Sequence, residues 1–133
     1  MGRDEVIVVD THAWYFWVTE EPGLSPLARS RLNREREVVV PAMCAWEIAM
    51  LSTRGRIDVG PDVGAFLKDA LEWEGVRLEP LSPDIGIRAA ILSQTHRMDP
   101  ADQLIAATAI QLNVPLVTHD ALLQSLPGLK TIW

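Results

Sequence analysis

Several things are scarce in this sequence at once. A single cysteine, Cys44, stands among 133 residues. That excludes an intrachain disulfide framework and suits a reducing compartment. Lysine occurs only at Lys68 and Lys130. With 12 basic side chains against 18 acidic ones, the formal net charge is −6. A broad basic face that coats nucleic acid is thereby excluded, while a small local basic contact is not. No apolar run spans a membrane: Val6–Val9 is closed by Asp10 and His12, and Ala42–Leu51 is too short. The start, Met1-Gly2-Arg3-Asp4-Glu5, carries two acids against one base and does not read as a signal peptide. Glycine-rich phosphate loops of the Gly-x-x-x-x-Gly-Lys or Gly-x-Gly-x-x-Gly kind are absent. So are repeats, low-complexity stretches and linkers. The expectation is a cytoplasmic protein with no membrane association, built as one domain over 1–133. At this length about two-thirds of the chain's surface can be buried without metal or disulfide staples.

The order of elements is legible in the hydrophobic pattern. Val6-Ile7-Val8-Val9 and Val38-Val39-Val40 are β-branched runs of the kind buried on both faces of a parallel sheet. Val76-Arg77-Leu78-Glu79 and Pro115-Leu116-Val117-Thr118 read as two more strands, and Thr131-Ile132-Trp133 as an edge strand. Helices are expected from Thr11 to about Trp17, after Ser25-Pro26, over Ala42–Thr53, Asp62–Glu74, Pro83–Gln94, Pro100–Leu112 and Ala121–Ser125. Strands alternating with helices imply an α/β fold with right-handed crossovers and a parallel sheet covered on both faces. Ligands in such folds bind beyond the carboxyl ends of the strands, where the strand order reverses.

Acids lie where those ends are expected. Asp10 follows Val6–Val9, and Asp120 follows Leu116-Val117-Thr118-His119. Either one alone reads equally as a helix cap. Glu47 is the one polar residue in Ala42–Leu51, a stretch that reads as a helix buried all round. Its neighbours at i±3 and i±4 are Met43, Cys44, Met50 and Leu51, so no local base can pair with it. It is a functional carboxylate, or it lies on a thin exposed stripe or meets a distant arginine. Asp99-Pro100-Ala101-Asp102 has the form of a helix start with acids favoured by the dipole. The small-residue helix behind it, Leu104 to Ala109, can pack close to a sheet and bring Asp102 to the same crevice. If the four acids converge, they repel one another and call for hard cations, Mg²⁺ or Mn²⁺, the metals of phosphoryl chemistry.

These stretches are similar to those of PIN-domain nucleases, specifically the VapC-type toxins of bacterial and archaeal toxin–antitoxin pairs. The resemblance rests on Asp10-Thr11-His12-Ala13, Gly23 to Arg29, Ala45 to Ala49, Asp99 to Ala106 and Val117 to Asp120, in the family's order and over nearly the whole chain. It implies a three-layer α/β/α sandwich around a short central parallel sheet. It implies that Asp10, Glu47, Asp102 and Asp120 are both the catalytic residues and the ligands of one or two Mg²⁺ or Mn²⁺ ions. It further implies hydrolysis of phosphodiester bonds in RNA, a cognate antitoxin as partner, and a homodimer. Thr118 matches a family hydroxyl that could bind a metal-bound water, and Asp99 is an outer-shell acid or only a helix cap, the cap being favoured. Two positions depart from the usual Asp-Pro-Phe-Asp-Arg: here they are Ala101 and Gln103. The lost arginine removes a cation beside the acids. Cys44 stands where relatives often carry a small hydroxyl residue and reads as a small buried hydrophobe.

Weaker signals surround these. Arg29, Arg31, Arg34 and Arg36, and Arg54 with Arg56, are either RNA contacts or, with Glu35 and Glu37 interleaved, a solvated mixed-charge surface. His12, His96 and His119 have no zinc-ligand spacing, and His119 is expected to be structural. Trp14, Phe16 and Trp17 cannot all face one core easily, so part of this helix is expected to be exposed as a protein-binding surface. A receiver-type signalling domain would need a second acid beside Asp10 and a lysine between 68 and 130. A haloacid-dehalogenase-like phosphatase would need an acid at position 12, which is His12. The remaining alternative is a PIN fold that binds without catalysing.

Overall fold

A computed structural model describes residues 5–133, and the reading of the first four residues lies outside it. The five expected strands form one all-parallel sheet: β1 (Val6–Val9), β2 (Glu37–Pro41), β3 (Val76–Glu79), β4 (Leu116–Val117) and β5 (Thr131–Ile132). Their order across the sheet is β3-β2-β1-β4-β5. The chain steps outward from β1 to β3, then returns to lay β4 against the other side of β1. The order therefore reverses between β1 and β4, with Val8 beside Leu116 and Val9 beside Val117. Asp10 and Asp120 follow these two strands and so flank the crevice that such a reversal opens.

Among the described residues seven helices cover the sheet on both faces: α1 (Thr11–Thr19), α2 (Pro26–Arg34), α3 (Ala42–Thr53), α4 (Val63–Leu71), α5 (Pro83–Thr95), α6 (Pro100–Leu112) and α7 (Ala121–Gln124). The result is the expected three-layer α/β/α sandwich. The central strands are the core: Ile7, Val8, Val9, Val39, Val40, Leu116 and Val117 are wholly buried. Sequence-local chemistry sets the helix starts. Ser25 Oγ accepts from Ala28 N at 3.0 Å, and Ser82 Oγ accepts from Ile85 N at 3.2 Å, each followed by proline in the first turn. Helix α6 buries Ala101, Ile105, Ala106, Ala107, Thr108 and Ala109. Its small side chains let it lie close to the sheet, against α5 and α3.

Two expectations about exposure are corrected. Helix α3 is not buried all round: only Cys44 and Ile48 are fully inside, and Trp46 is 55% exposed. A single inward stripe suffices for a helix that packs on the sheet with one face only. Helix α1, in turn, does not offer its tryptophans to a partner. Trp14 and Trp17 are buried, and Trp17 donates from Nε1 to Asn33 Oδ1 at 2.8 Å while meeting Trp73 edge-on. Tyr15 and Phe16 are half-buried. The large exposed apolar side chains lie elsewhere, among them Leu81, Ile87 and Ile91.

One turn is sterically closed to side chains. Gly75 enters β3 at φ +82°, and a Cβ placed there would stand 2.9 Å from the Arg36 carbonyl oxygen. Gly60, at φ +90°, faces open space. Gly75→Ala is expected to lose about 2–3 kcal/mol through left-handed strain plus the clash with backbone, and Gly60→Ala only about 1 kcal/mol. Urea unfolding of the two variants checks this. Equal losses would show that the contact beside Arg36 relaxes at no cost.

Candidate metal centre and active site

The four acids arrive from four elements. Asp10 ends β1 and caps α1, with Oδ1 accepting from Ala13 N at 2.8 Å. Asp120 ends the β4 segment and caps α7, with Oδ1 accepting from Leu123 N at 3.0 Å. The capping reading thus holds for both, and it does not compete with function, because a cap uses one carboxylate oxygen. Glu47 projects from the second turn of α3, and Asp102 from the first turn of α6. All four line one cavity of about 440 Å³, together with Thr11, His12, Phe16, Asp99, His119 and Trp133.

Hydroxyl groups fix part of this arrangement. Thr11 donates from Oγ1 to Glu47 Oε1, tying α1 to α3 across the cavity floor. The sequence flagged Thr11 only as part of a helix start; its place directly after the strand-end acid was the available signal. Thr118 is wholly buried, accepts from Asp120 N at 3.0 Å through Oγ1, and its side chain helps to lower the Asp10 pKa. It therefore helps to hold Asp120 in place beside Asp10. The capping reading of Asp99 is corrected. It occupies the N-cap position of α6, but its side chain makes no capping bond and instead lines the cavity. Gln103 donates from Nε2 to Met98 O at 3.0 Å, a structural bond to the segment before α6. Cys44 is the buried small side chain expected, its thiol facing Val9 O at 3.8 Å.

Acids dominate the electrostatics of the cavity, and His12 beside Asp10 opposes them. No lysine or arginine lines the cavity. The basic cluster of α2 is spent elsewhere: Arg31 and Arg34 pair with Glu35, and Arg36 pairs with Glu5. Burial raises the Asp10 carboxyl above its usual range, with Thr118 and the Ala13 amide pulling it back. Asp102 is pushed up to about 6, first by burial, then by the charges of Asp120, Glu47, Asp99 and Asp10. All four neighbouring carboxylates raise it, which is the signature of a carboxylate cluster awaiting positive charge.

The donor set fits a hard divalent cation: oxygen ligands only, partly desolvated, mutually repelling. Among the described residues, no three of the Asp, Glu, His and Cys side chains are already grouped as a ligand shell. The acids surround the cavity without meeting at a point, so gathering them on one ion requires side-chain rotation. A second, more apolar groove of about 610 Å³ opens next to it, between α3, α5 and α6. Trp46, Met50, Leu81 and Leu104 line it, and it shares Glu47 and Asp99 with the acid cavity.

This fold, with an acid cavity at the strand-order reversal, is that of a PIN domain. Residues 7–129 match the PIN domain family, and the chain belongs to it. Within that family it is of the VapC type. It is 33% identical to Ribonuclease VapC22 of Mycobacterium tuberculosis over 129 residues, 96% of this chain and 98% of that one. Two solved structures share the fold at lower identity. Mycobacterium tuberculosis VapC20, described as a sarcin-ricin loop cleaving toxin, superposes with a TM-score of 0.69 at 17% identity, covering 90% of this chain and 93% of that one. VapBC2 from Rickettsia felis, solved on a DNA fragment from its promoter, gives 0.67 at 16% identity, covering 96% and 97%.

The raised Asp102 sets the sign of a pH effect. The folded protein holds this proton up to about pH 6, whereas the unfolded chain releases it near 3.8. Folding stability from this group is therefore lost as pH rises from about 4 to 6 and stays lost above. Asp102→Asn is expected to melt higher than wild type at pH 7.5 without divalent ions, by about 1 kcal/mol once solvent screening is allowed for. The advantage should shrink towards pH 4. A variant less stable than wild type at pH 7.5 would show that Asp102 is not under repulsion.

Proposed function

We propose that this chain is the ribonuclease toxin of a toxin–antitoxin pair, a single domain over 1–133 that hydrolyses phosphodiester bonds in RNA at the acid cavity. The observation that carries the reading is the convergence of Asp10, Glu47, Asp102 and Asp120 on one cavity that no cationic side chain enters. Family membership and the likeness to a VapC ribonuclease support it.

In this reading the four acids hold one or two Mg²⁺ or Mn²⁺ ions. When bound, such an ion neutralises the phosphate and lowers the pKa of attacking water. The protein's own contribution is placement. Asp10 is fixed by the Ala13 amide and Thr118, and Glu47 by Thr11, so two ligands are oriented before any ion arrives. Asp102 and Asp120 complete the negative wall and accept protons or water hydrogens at their free oxygens. Water oxygen adds to phosphorus in line, the bond from phosphorus to the leaving nucleotide oxygen breaks, and that oxygen takes up a proton.

The apolar groove beside the cavity offers an antitoxin segment a seat. A partner lying over Trp46 and Leu81 buries their exposed area and, through Glu47 and Asp99, closes access to the acids. Ile87 and Ile91, one turn apart on α5 and both exposed, offer an apolar stripe for a homodimer. Among the described residues no helix is long and apolar enough to cross a membrane.

Purified protein is expected to cleave a panel of structured RNAs with Mn²⁺ or Mg²⁺ and not with EDTA. Asp10→Asn should lower the rate at least about a thousandfold while leaving the fold intact. Metal-independent cleavage, or full activity in Asp10→Asn, would overturn the mechanism. Failure of the well-folded wild type to cleave any RNA while still binding it would favour the alternative, a binding module without catalysis. Sedimentation of Ile87→Asp/Ile91→Asp beside wild type checks the dimer: wild type should sediment as a dimer and the variant as a monomer.

A further inference from the structure

The acid cavity has an aromatic wall that the acids do not explain. His119 and Trp133 stack with ring centroids 4.8 Å apart and planes 7° from parallel, and both line the cavity. The stack is built by the sheet. Thr118 N donates to Ile132 O at 3.1 Å, and Val117 pairs with Ile132, so the residues one step beyond β4 and β5 emerge side by side. Each ring spends one face on the other. His119 is exposed and Trp133 is half-buried, so the face left open belongs to His119, with Trp133 as its backing.

The surroundings say what such a face is for. A polyanionic substrate meets no arginine or lysine in this cavity or in the neighbouring groove. Gln103, one residue past Asp102, is tied to Met98 O. Among the described residues Arg31, Arg34, Arg36 and Arg77 are paired with acids, while Arg29, Arg54, Arg56, Arg88 and Arg97 are in no ion pair but line neither the cavity nor the groove. Within the cavity, therefore, no lysine or arginine of the described residues is placed to hold the nucleotides beside the scissile phosphate through their charge. Base faces are the remaining handle: stacking on an aromatic ring is neutral, sequence-tolerant and worth about 1–3 kcal/mol per base.

We propose that the Trp133-backed His119 ring is a stacking platform for an unpaired nucleobase next to the scissile phosphate. This rests on the RNA reading above. His119 acts here through its ring face, as a binding residue. A base paired and stacked within a helix has no free face to give, so the platform selects for unstacked nucleotides.

The test is fluorescence anisotropy of a labelled short single-stranded oligoribonucleotide, titrated with the full chain carrying Asp10→Asn to prevent cleavage. His119→Ala in that background is expected to weaken binding about tenfold, and His119→Tyr to restore it. Trp133→Ala should weaken it to a lesser degree, by freeing the ring. An RNA duplex without loops should bind more weakly than the single strand and show no response to His119→Ala. Unchanged binding in His119→Ala, or equal loss in His119→Ala and His119→Tyr, overturns the platform and leaves the nuclease reading standing. No binding of any RNA overturns both. Melting curves of each variant separate loss of fold from loss of the platform.

Discussion

The constraint on which the rest depends is like-charge repulsion at the carboxyl end of the sheet. Four elements bring carboxylates to one cavity, and a fifth acid, Asp99, joins them. No cation of the protein's own lies among them, and the charges of the other four raise Asp102. A fold tolerates such a cluster only by anchoring it firmly. The anchors are visible: two helix caps, the Thr11 contact to Glu47, and the buried Thr118 between Asp10 and Asp120. The hydrophobic sheet beneath supplies the stability that the cluster takes away, with every core strand residue of β1 from Ile7 to Val9 wholly buried.

The same constraint organises the surface around the site. Because the cavity is negative, a phosphate enters it only with divalent ions, and the rest of the substrate must be held without charge. The neutral surfaces next to the acids are two: the His119–Trp133 stack inside the cavity and the apolar groove past Glu47. The first fits a base. The second fits a protein segment, and its shared residues Glu47 and Asp99 make cover of the groove and closure of the site one event. In this account, catalysis and neutralisation by a partner use adjoining parts of one crevice.

Much of this was legible in the sequence, and the reasons are specific. The strands are short β-branched runs with clear breaks, so all five were readable in place, and the helix starts at Ser25-Pro26 and Ser82-Pro83 announce themselves by cap chemistry. The convergence of the acids followed from their positions after strands and at helix starts. Burial was harder to read. Composition alone made α3 look enclosed, although only Cys44 and Ile48 face inward, and made α1 look like a binding face, although its tryptophans are core. Side-chain partners across the chain were not readable at all. The Thr11–Glu47 contact spans 36 positions, the idle cap of Asp99 needs a geometry, and the His119–Trp133 stack depends on the β4–β5 register.

The central claim is that the four acids form one divalent-cation site. Electron paramagnetic resonance of Mn²⁺, which loses its free-ion signal on binding, tests it without any substrate. The account predicts that wild type sequesters Mn²⁺ at one or two sites, that Mg²⁺ competes for them, and that single replacements of Asp10, Glu47, Asp102 or Asp120 by the matching amide each weaken binding. Undiminished Mn²⁺ binding in all four variants, or none in wild type, would contradict it.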